Sequence, residues 1–473
     1  MAHFLVIDQG THASRCMIFN SSGQILAQSE RSISIYRQDN GFIEQNAEEI
    51  LNSIHYCLHE LQSQPAFKQL SAAALITQRS TIVGWNKHTG DALSAAISWQ
   101  DTRASAMLAA LQDDAREIKK LSGLVLSAHY GASKIKWLLS HDRRCQQAAQ
   151  AENIIIAPLA SYLIQQLSTL GTPVVDHVNA SRTQLFDINS LQWSDSLLDK
   201  FQISKRCLPE VRPCLSDYGR LKHHDIPLML VNGDQNAALF ANGDVTPESV
   251  YVNIGTGAFA LKVTQRLQQH PLLLNGIAFT RPHNTIYLQE GTVNGAGAAL
   301  QTLASEIDEN ALFEQLPHWL SELKAPPVFI NSISGLGSPW WDSTIEPHYL
   351  DLDADNISLP ERAVAIVESI VFLLQNNIEL LLDASTKSLV ISGGLCRLDH
   401  LCQKLADLSQ LKVSRVDNTE ASASGAAWLL SQAHDWQSDT KTSCFTPEPQ
   451  PLLLQRYQIF TQQLAFLTRH KPD

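Results

Sequence analysis

The chain has 473 residues of which 44% are apolar, about 208 side chains, enough for a substantial core and, by length, for two or three domains. A disordered or fibrous chain is thereby excluded, and 35 basic against 47 acidic residues leave a formal charge of −12 with no surplus of Lys or Arg to follow a nucleic-acid backbone. Small anions stay open as ligands, because a few backbone N–H groups hold a phosphate whatever the global charge.

The N-terminus, MAHFLVIDQG, has one short apolar run without a basic leader, and no stretch approaches the ~18 consecutive apolar residues of a membrane span. A cytoplasmic protein with no membrane partner is expected. Eight cysteines, at 16, 57, 145, 207, 214, 396, 402 and 444, form no CxxC pair and read as reduced, mostly buried thiols.

In chain order, His3 to Ile7 reads as a strand that breaks at Asp8-Gln9-Gly10-Thr11, resumes from Arg15 to Phe19, turns at Asn20 to Gly23 and continues from Gln24 to Gln28, a β-meander. Asn46 with Glu49 signals a helix start, and Ile50, Leu51, Ile54, Cys57, Leu58 and Leu61 recur at helical spacing. The same plan returns later: Ser249 to Ile254, a break at Gly255-Thr256-Gly257, Ala258 to Val263, Thr285 to Gln289, then a small-residue helix around Gly295 to Gln301. Two halves on one plan suggest a duplication divided near 243 to 248, and the absence of a low-complexity linker predicts that the halves pack closely around a cleft. Arg362 to Leu382 reads as a buried helix, Leu395 to Leu408 as a helix after Gly393-Gly394, and Pro451 to Arg469 as a terminal helix.

Four short segments can carry chemistry, and each has a plain structural alternative. Asp8 to Arg15 is either a hairpin or a phosphate loop, in which Gly10 lets the backbone approach a ligand, Thr11 and Ser14 add hydroxyls, Arg15 adds a cation and Asp8 holds Mg²⁺ through water. Gly255-Thr256-Gly257 stands at the matching place in the other half. Asp234, at the end of the apolar strand Leu228 to Val231, is either a helix N-cap or a base for a substrate hydroxyl. Gly393-Gly394 either closes a strand or lets a flat group lie on the backbone. His55 and His59 lack an HExxH glutamate and read as a solvent-facing pair rather than zinc ligands; Trp340-Trp341 reads as packing.

Taken in order, DQGTHASR (8–15), TQRSTIVGW (77–85), SWQDTR (98–103), SKIKWLL (133–139), VNASRTQLF (178–186), LPEVRP (208–213), GDQNAALF (233–240), NIGTGAF (253–259), EGTVNGAGAALQ (290–301), SGLGSPWWD (334–342) and SGGL (392–395) resemble the FGGY carbohydrate kinases, nearest to the glycerol-phosphorylating members. The resemblance implies an α/β protein of two ribonuclease-H-like, actin/hexokinase-type ATPase domains around a central cleft: residues 1–243 with the acceptor site, first phosphate loop and catalytic aspartate, and residues 244–473 with the second phosphate loop and adenine site. The implied reaction moves the γ-phosphoryl of ATP, with Mg²⁺, to a hydroxyl of a small polyol or sugar. Position by position, Asp234 matches the catalytic base and Asp8, with Asp234, the magnesium site. Thr11, Ser14, Arg15, Gly255, Thr256, Gln301, Gly393 and Gly394 match the nucleotide site. Arg79, Trp99, Asp234, Gln235 and Phe259 match the acceptor-contacting set.

Departures fall in two places. Ser80 stands where those enzymes carry Glu and His129 where they carry Tyr, which weakens binding of a three-carbon triol and admits a larger or differently hydroxylated acceptor. His12 and Ala13 replace hydroxyl residues of the first phosphate loop. These changes motivate an alternative, a non-catalytic actin-like regulatory protein that binds sugar or nucleotide; the survival of Asp8 and Asp234 weighs against it. The resemblance also implies a homodimer or tetramer.

Overall fold

A computed structural model describes residues 2–306, 309–416, 418–431, 436 and 442–469. The opening meander forms as three antiparallel strands, His3–Gln9, Ala13–Phe19 and Ile25–Ser32, longer than the sequence reading at their ends. The helix Ala47–Leu61 follows, with the Asn46 side chain accepting from the amides of Glu48 and Glu49. Its Ile50, Ile54, Cys57 and Leu58 pack on Cys16 and Ile18 of the sheet, while His55 and His59 face solvent.

Two parallel strands complete this first sheet, giving the order Leu228–Gly233, Leu70–Thr77, His3–Gln9, Ala13–Phe19, Ile25–Ser32. Register places Asp8 beside Ile76 and Gly233 beside Thr77, so all three parallel strands end at one edge. Crevices at the carboxyl ends of parallel strands are where open α/β sheets bind ligands. A smaller five-stranded sheet built from Tyr36–Arg37, Ile43–Gln45, Ala96–Ile97, Ile82–Asn86 and Ile154–Pro158 adjoins the first.

The second half repeats the plan. Ser249–Ile254 pairs antiparallel with Ala258–Thr264 and parallel with Ser388–Ser392, which pairs parallel with Lys412–Val416. The meander side gains Asn284–Val293 and a strand the sequence reading omitted, Leu274–Arg281. The long helix Leu359–Leu381 is apolar enough by length and composition to cross a membrane, yet 83% of its apolar window is buried inside the protein, where it forms the centre of the second core. Arg456 of the terminal helix Pro451–Arg469 donates two hydrogen bonds, of 2.8 and 2.7 Å, to buried Glu368 on that long helix, and Lys404 adds a third of 2.8 Å. The expected helix from Leu395 to Leu408 is interrupted: a short turn, Gly394–Arg397, is followed by extended Leu398 and then the helix Asp399–Ser409. Seven of the eight cysteines are buried and all are free thiols; Cys444 is exposed.

The halves do more than touch. The helix Ala421–Ser431, late in the chain, packs on the first sheet, and its Ala423, Ala426, Ala427 and Leu429 share a core with Val6, Ala74, Ile76 and Leu230. Gly425 allows this close approach, since a Cβ there would lie 1.9 Å from the carbonyl oxygen of Ala237, three residues past Asp234. Gly425→Ala is therefore expected to push the helix Asp234–Ala238 off its seat and to cost about 1–3 kcal/mol of stability, read by calorimetry as a lowered melting temperature together with loss of nucleotide binding.

Candidate active site

Because both sheets direct their parallel strand ends inward, a cavity of about 290 Å³ lies between the halves. The first half contributes Asp8, Arg15, Asp234 and Gln235 to its wall, and the second contributes Asn253, Phe259, Ser392, Gly393 and Glu420. Asp8 and Asp234, 226 residues apart in sequence, come there from the ends of two strands that flank Leu70–Thr77. Asp234 is the first residue of its helix and Gly233 is the cap, so the N-cap alternative does not describe it; its Oδ1 accepts from the Gln235 amide at 2.7 Å. Burial and the nearby Asp234 charge push Asp8 up to about 7, with Arg15 opposing. Burial also raises Asp234, with Arg79 pulling it back.

The nucleotide candidates divide. Arg15 reaches across the cleft, bonded to Glu30 at 3.0 Å and to Glu420 at 3.3 Å. The Thr11 hydroxyl accepts from the Trp99 indole at 3.0 Å, tying the first loop to the acceptor side. Ser14 does not face the cleft: it is fully buried and its Oγ accepts from Ser53 at 2.7 Å, because the strand begins at Ala13 and alternation turns residue 14 to the helix side with Cys16. Gly255 and Thr256 bend over the start of the helix Gly297–Ala304, accepting from the amides of Gly297 and of Ala296 and Ala298 at 2.9–3.1 Å. Gln301 is exposed on that helix, and neither loop residue nor Gln301 lines the cavity wall. Gly393 has φ +100 and a Cβ there would lie 2.5 Å from the Ile254 carbonyl oxygen, so only glycine fits beside the second loop; Gly394 next to it is exposed.

The acceptor candidates adjoin the cavity through Asp234. Arg79 Nη1 donates to Asn236 at 2.9 Å, Nη2 donates to Gln235, and Nε lies 3.8 Å from Asp234 Oδ1. Burial and the nearby Arg182 lower Arg79 to about 10. Ser80 is buried with φ 63, its hydroxyl without a partner among the described residues. Trp99 meets His129 edge-on at 5.8 Å and His129 meets Tyr130 at 5.1 Å. Burial together with Lys134, Arg182 and Arg79 holds His129 well below the ordinary imidazole range, so it stands neutral with one donor and one acceptor nitrogen.

Sequence reasoning missed three charged residues here. Glu290, 1% exposed and from the second half, lies 3.9 Å from Arg79 and 3.6 Å from Arg182, both of the first half. Glu420 lines the cavity opposite Arg15. Arg182 and Glu290 lie inside motifs quoted from the sequence, but their partners are distant in the chain and leave no local signature.

The donor set fits Mg²⁺. Among the described residues no group of three or more His, Cys, Asp or Glu forms a cage, while two carboxylates share one cavity at a cost that a cation would relieve. Magnesium commonly takes one or two carboxylates and fills its remaining positions with water and substrate phosphate.

Since folded Asp8 binds its proton up to about pH 7 whereas the unfolded residue releases it near 3.8, the folded state holds more protons across that window and this group makes stability fall as pH rises through it. Asp8→Asn abolishes that contribution. In metal-free buffer at pH 8 the variant is expected to melt about 2 °C or more above the parent, with the gap closing toward pH 4.

A model of the FGGY family of carbohydrate kinases matches this chain at residues 3–240 for the N-terminal domain and 250–434 for the C-terminal domain. The chain is 31% identical to the glycerol kinase of Alcanivorax borkumensis, covering 98% of each sequence, and 32% identical to that of Geobacter sp., covering 91% of this chain and 90% of the relative. In fold it is similar to a Plasmodium falciparum glycerol kinase solved with ADP, at a TM-score of 0.88 and 22% identity over 100% and 99% of the two chains. It is equally similar to a xylulose kinase of Brucella ovis, at a TM-score of 0.87 and 19% identity over 99% and 100%. With two matched domains, full-length relatives and a cleft carrying paired carboxylates, the chain belongs to the FGGY family of carbohydrate kinases and is a glycerol kinase-like, ATP-dependent enzyme working with Mg²⁺.

Proposed function

We propose that the enzyme phosphorylates a hydroxyl of a small polyol or sugar larger than glycerol, with Asp234 as the base. The observation that carries this reading is the position of Asp234, which belongs to the cavity wall and lies against Arg79 and Gln235 of the acceptor-side set. A base must lie within hydrogen-bond reach of the proton it takes and beside the phosphoryl group attacked, and this junction is such a place.

Phosphoryl transfer asks for little covalent work; it asks for alignment and charge stabilisation. Asp234 accepts the acceptor's hydroxyl proton as the oxygen approaches the γ-phosphorus. Arg79, anchored on Gln235 and Asn236, orients the carboxylate and donates to the acceptor. Neutral His129 and the unpartnered Ser80 hydroxyl offer donor and acceptor positions to further hydroxyls, and Trp99 and Phe259 supply apolar walls. Arg15 stands ready to exchange Glu420 for phosphate, while the Gly393 turn gives the nucleotide a backbone surface. Asp8 and Asp234 would hold Mg²⁺, which would supply charge neutralisation for the phosphates. Closure of the halves on both substrates would exclude the water that otherwise competes for the phosphoryl group.

Small Ser80 in place of a glutamate leaves both volume and an unfilled hydrogen-bonding site, which supports an acceptor longer than three carbons. ATP consumption measured against glycerol, erythritol, xylitol and xylulose is expected to favour the four- and five-carbon compounds; strong turnover of glycerol alone would defeat the enlarged pocket. Asp234→Asn is expected to lower kcat about 10²–10⁴-fold with ADP affinity retained by calorimetry, and an unchanged kcat would remove the assigned base.

A further inference from the structure

Lys134 is a buried cation that the reaction above does not use. It sits on the helix Gly131–His141, fully buried, where an ammonium is rarely found without a task. The carboxylate acting on it, Asp101, is already engaged: it accepts from Arg103 through Nε and Nη2 at 2.7–3.0 Å and from the amides of Ile43 and Arg103. What Lys134 bonds are two backbone carbonyls, that of Ser80 at 3.1 Å and that of His129 at 2.9 Å. These belong to the two acceptor-side residues that depart from the family pattern, carried on loops 49 residues apart.

Each loop end is in a state that needs holding. Ser80 occupies the left-handed region at φ 63, which costs a non-glycine residue roughly 1 kcal/mol or more. Gln78, Thr81 and the Trp99 amide fix its turn from one side, through Thr81 Oγ1 to Gln78 at 3.0 Å and Trp99 N to Thr81 Oγ1 at 3.1 Å. Lys134 is the fastening on the other. His129 is tied locally by its amide to the Ser127 hydroxyl at 3.2 Å, and otherwise by edge contacts of its ring. The same helix start takes up the carbonyls of Arg182 and Thr183 through Gly131 N and Ala132 N, at 3.3 and 2.6 Å.

Resting on the kinase reading above, we infer that Lys134 is a positioning residue for acceptor recognition: its Nζ joins the carbonyls of Ser80 and His129 and so sets the spacing between the two side chains that select the acceptor. Burial lowers this amine to about 7, and both its protonation states can donate to two carbonyls, so the clamp survives either.

Lys134→Gln keeps an N–H₂ donor on a shorter stem, and Lys134→Met removes the donor. With erythritol, xylitol and glycerol as probes, both variants are expected to raise the acceptor KM at least about tenfold while ADP affinity stays within twofold. Parallel loss of ADP affinity, or no change in either, overturns the proposal. Combined with Ser80→Ala, Lys134→Gln is expected to be non-additive, because a misplaced hydroxyl has less to lose; strict additivity overturns it. If the parent phosphorylates none of these polyols, the polyol reading of the acceptor falls by itself. A crystal structure of Lys134→Gln then decides the clamp without any ligand: displaced Ser80 and His129 loops support it, and unmoved loops refute it.

Discussion

Two carboxylates that repel one another are held in the same cavity because three parallel strands end at one sheet edge. Asp8 is the last residue but one of the first strand and Asp234 directly follows Leu228–Gly233, and the hydrogen-bond register between them is fixed by Leu70–Thr77, which lies between. Burial first, and the Asp234 charge second, push Asp8 up to about 7. A resting protein gains nothing from this arrangement, so the fold is carrying an electrostatic cost that only a bound cation and phosphate relieve. The same edge of the second sheet supplies the Gly393 turn and the loop at Gly255, and the cavity exists because the two edges face each other.

What keeps them facing is a set of contacts made by polar groups at the divide. Asn236, two residues after Asp234, donates to the Ile277 carbonyl of the second half at 2.7 Å, and Glu290 of the second half stands between Arg79 and Arg182 of the first. Arg79 thereby belongs to three tasks: it holds Gln235, it lies against Asp234, and it feels the position of the other half through Glu290. A change in the angle between the halves reaches the acceptor cluster through one guanidinium. Ion pairs at 3.6–3.9 Å without direct hydrogen bonds leave room for such adjustment, where a bidentate pair would lock it.

Local features of the sequence carried much of this. The meander, the helix after Asn46, the repeat of the plan from Ser249 and the terminal helix were legible because alternation and helical periodicity are written in consecutive residues. The burial of Ser14 was not legible with the second strand started at Arg15; begun at Ala13, its alternation puts Ser14 with Cys16 and Ile18, facing the helix. The strand Leu274–Arg281 was passed over because LLLNGIAF shows no clean alternation, a pattern expected where both faces are covered. Leu398 interrupts a helix that periodicity alone extended. Glu290, Arg182 and Lys134 were opaque for a different reason. Each holds at least one partner tens to hundreds of residues away, and only the closed fold shows it.

The return of the helix Ala421–Ser431 to the first sheet means that the halves are not two beads on a string. The chain crosses from the first body to the second and then comes back, so the first body is finished only when nearly all of the polypeptide has been made. A fragment cut near residue 243 would lack Ala423, Ala426, Ala427 and Leu429 and present their bare apolar seat, beside Ala237, to water. During synthesis the aspartate at 234 therefore waits for the helix Ala421–Ser431 before its surroundings are complete.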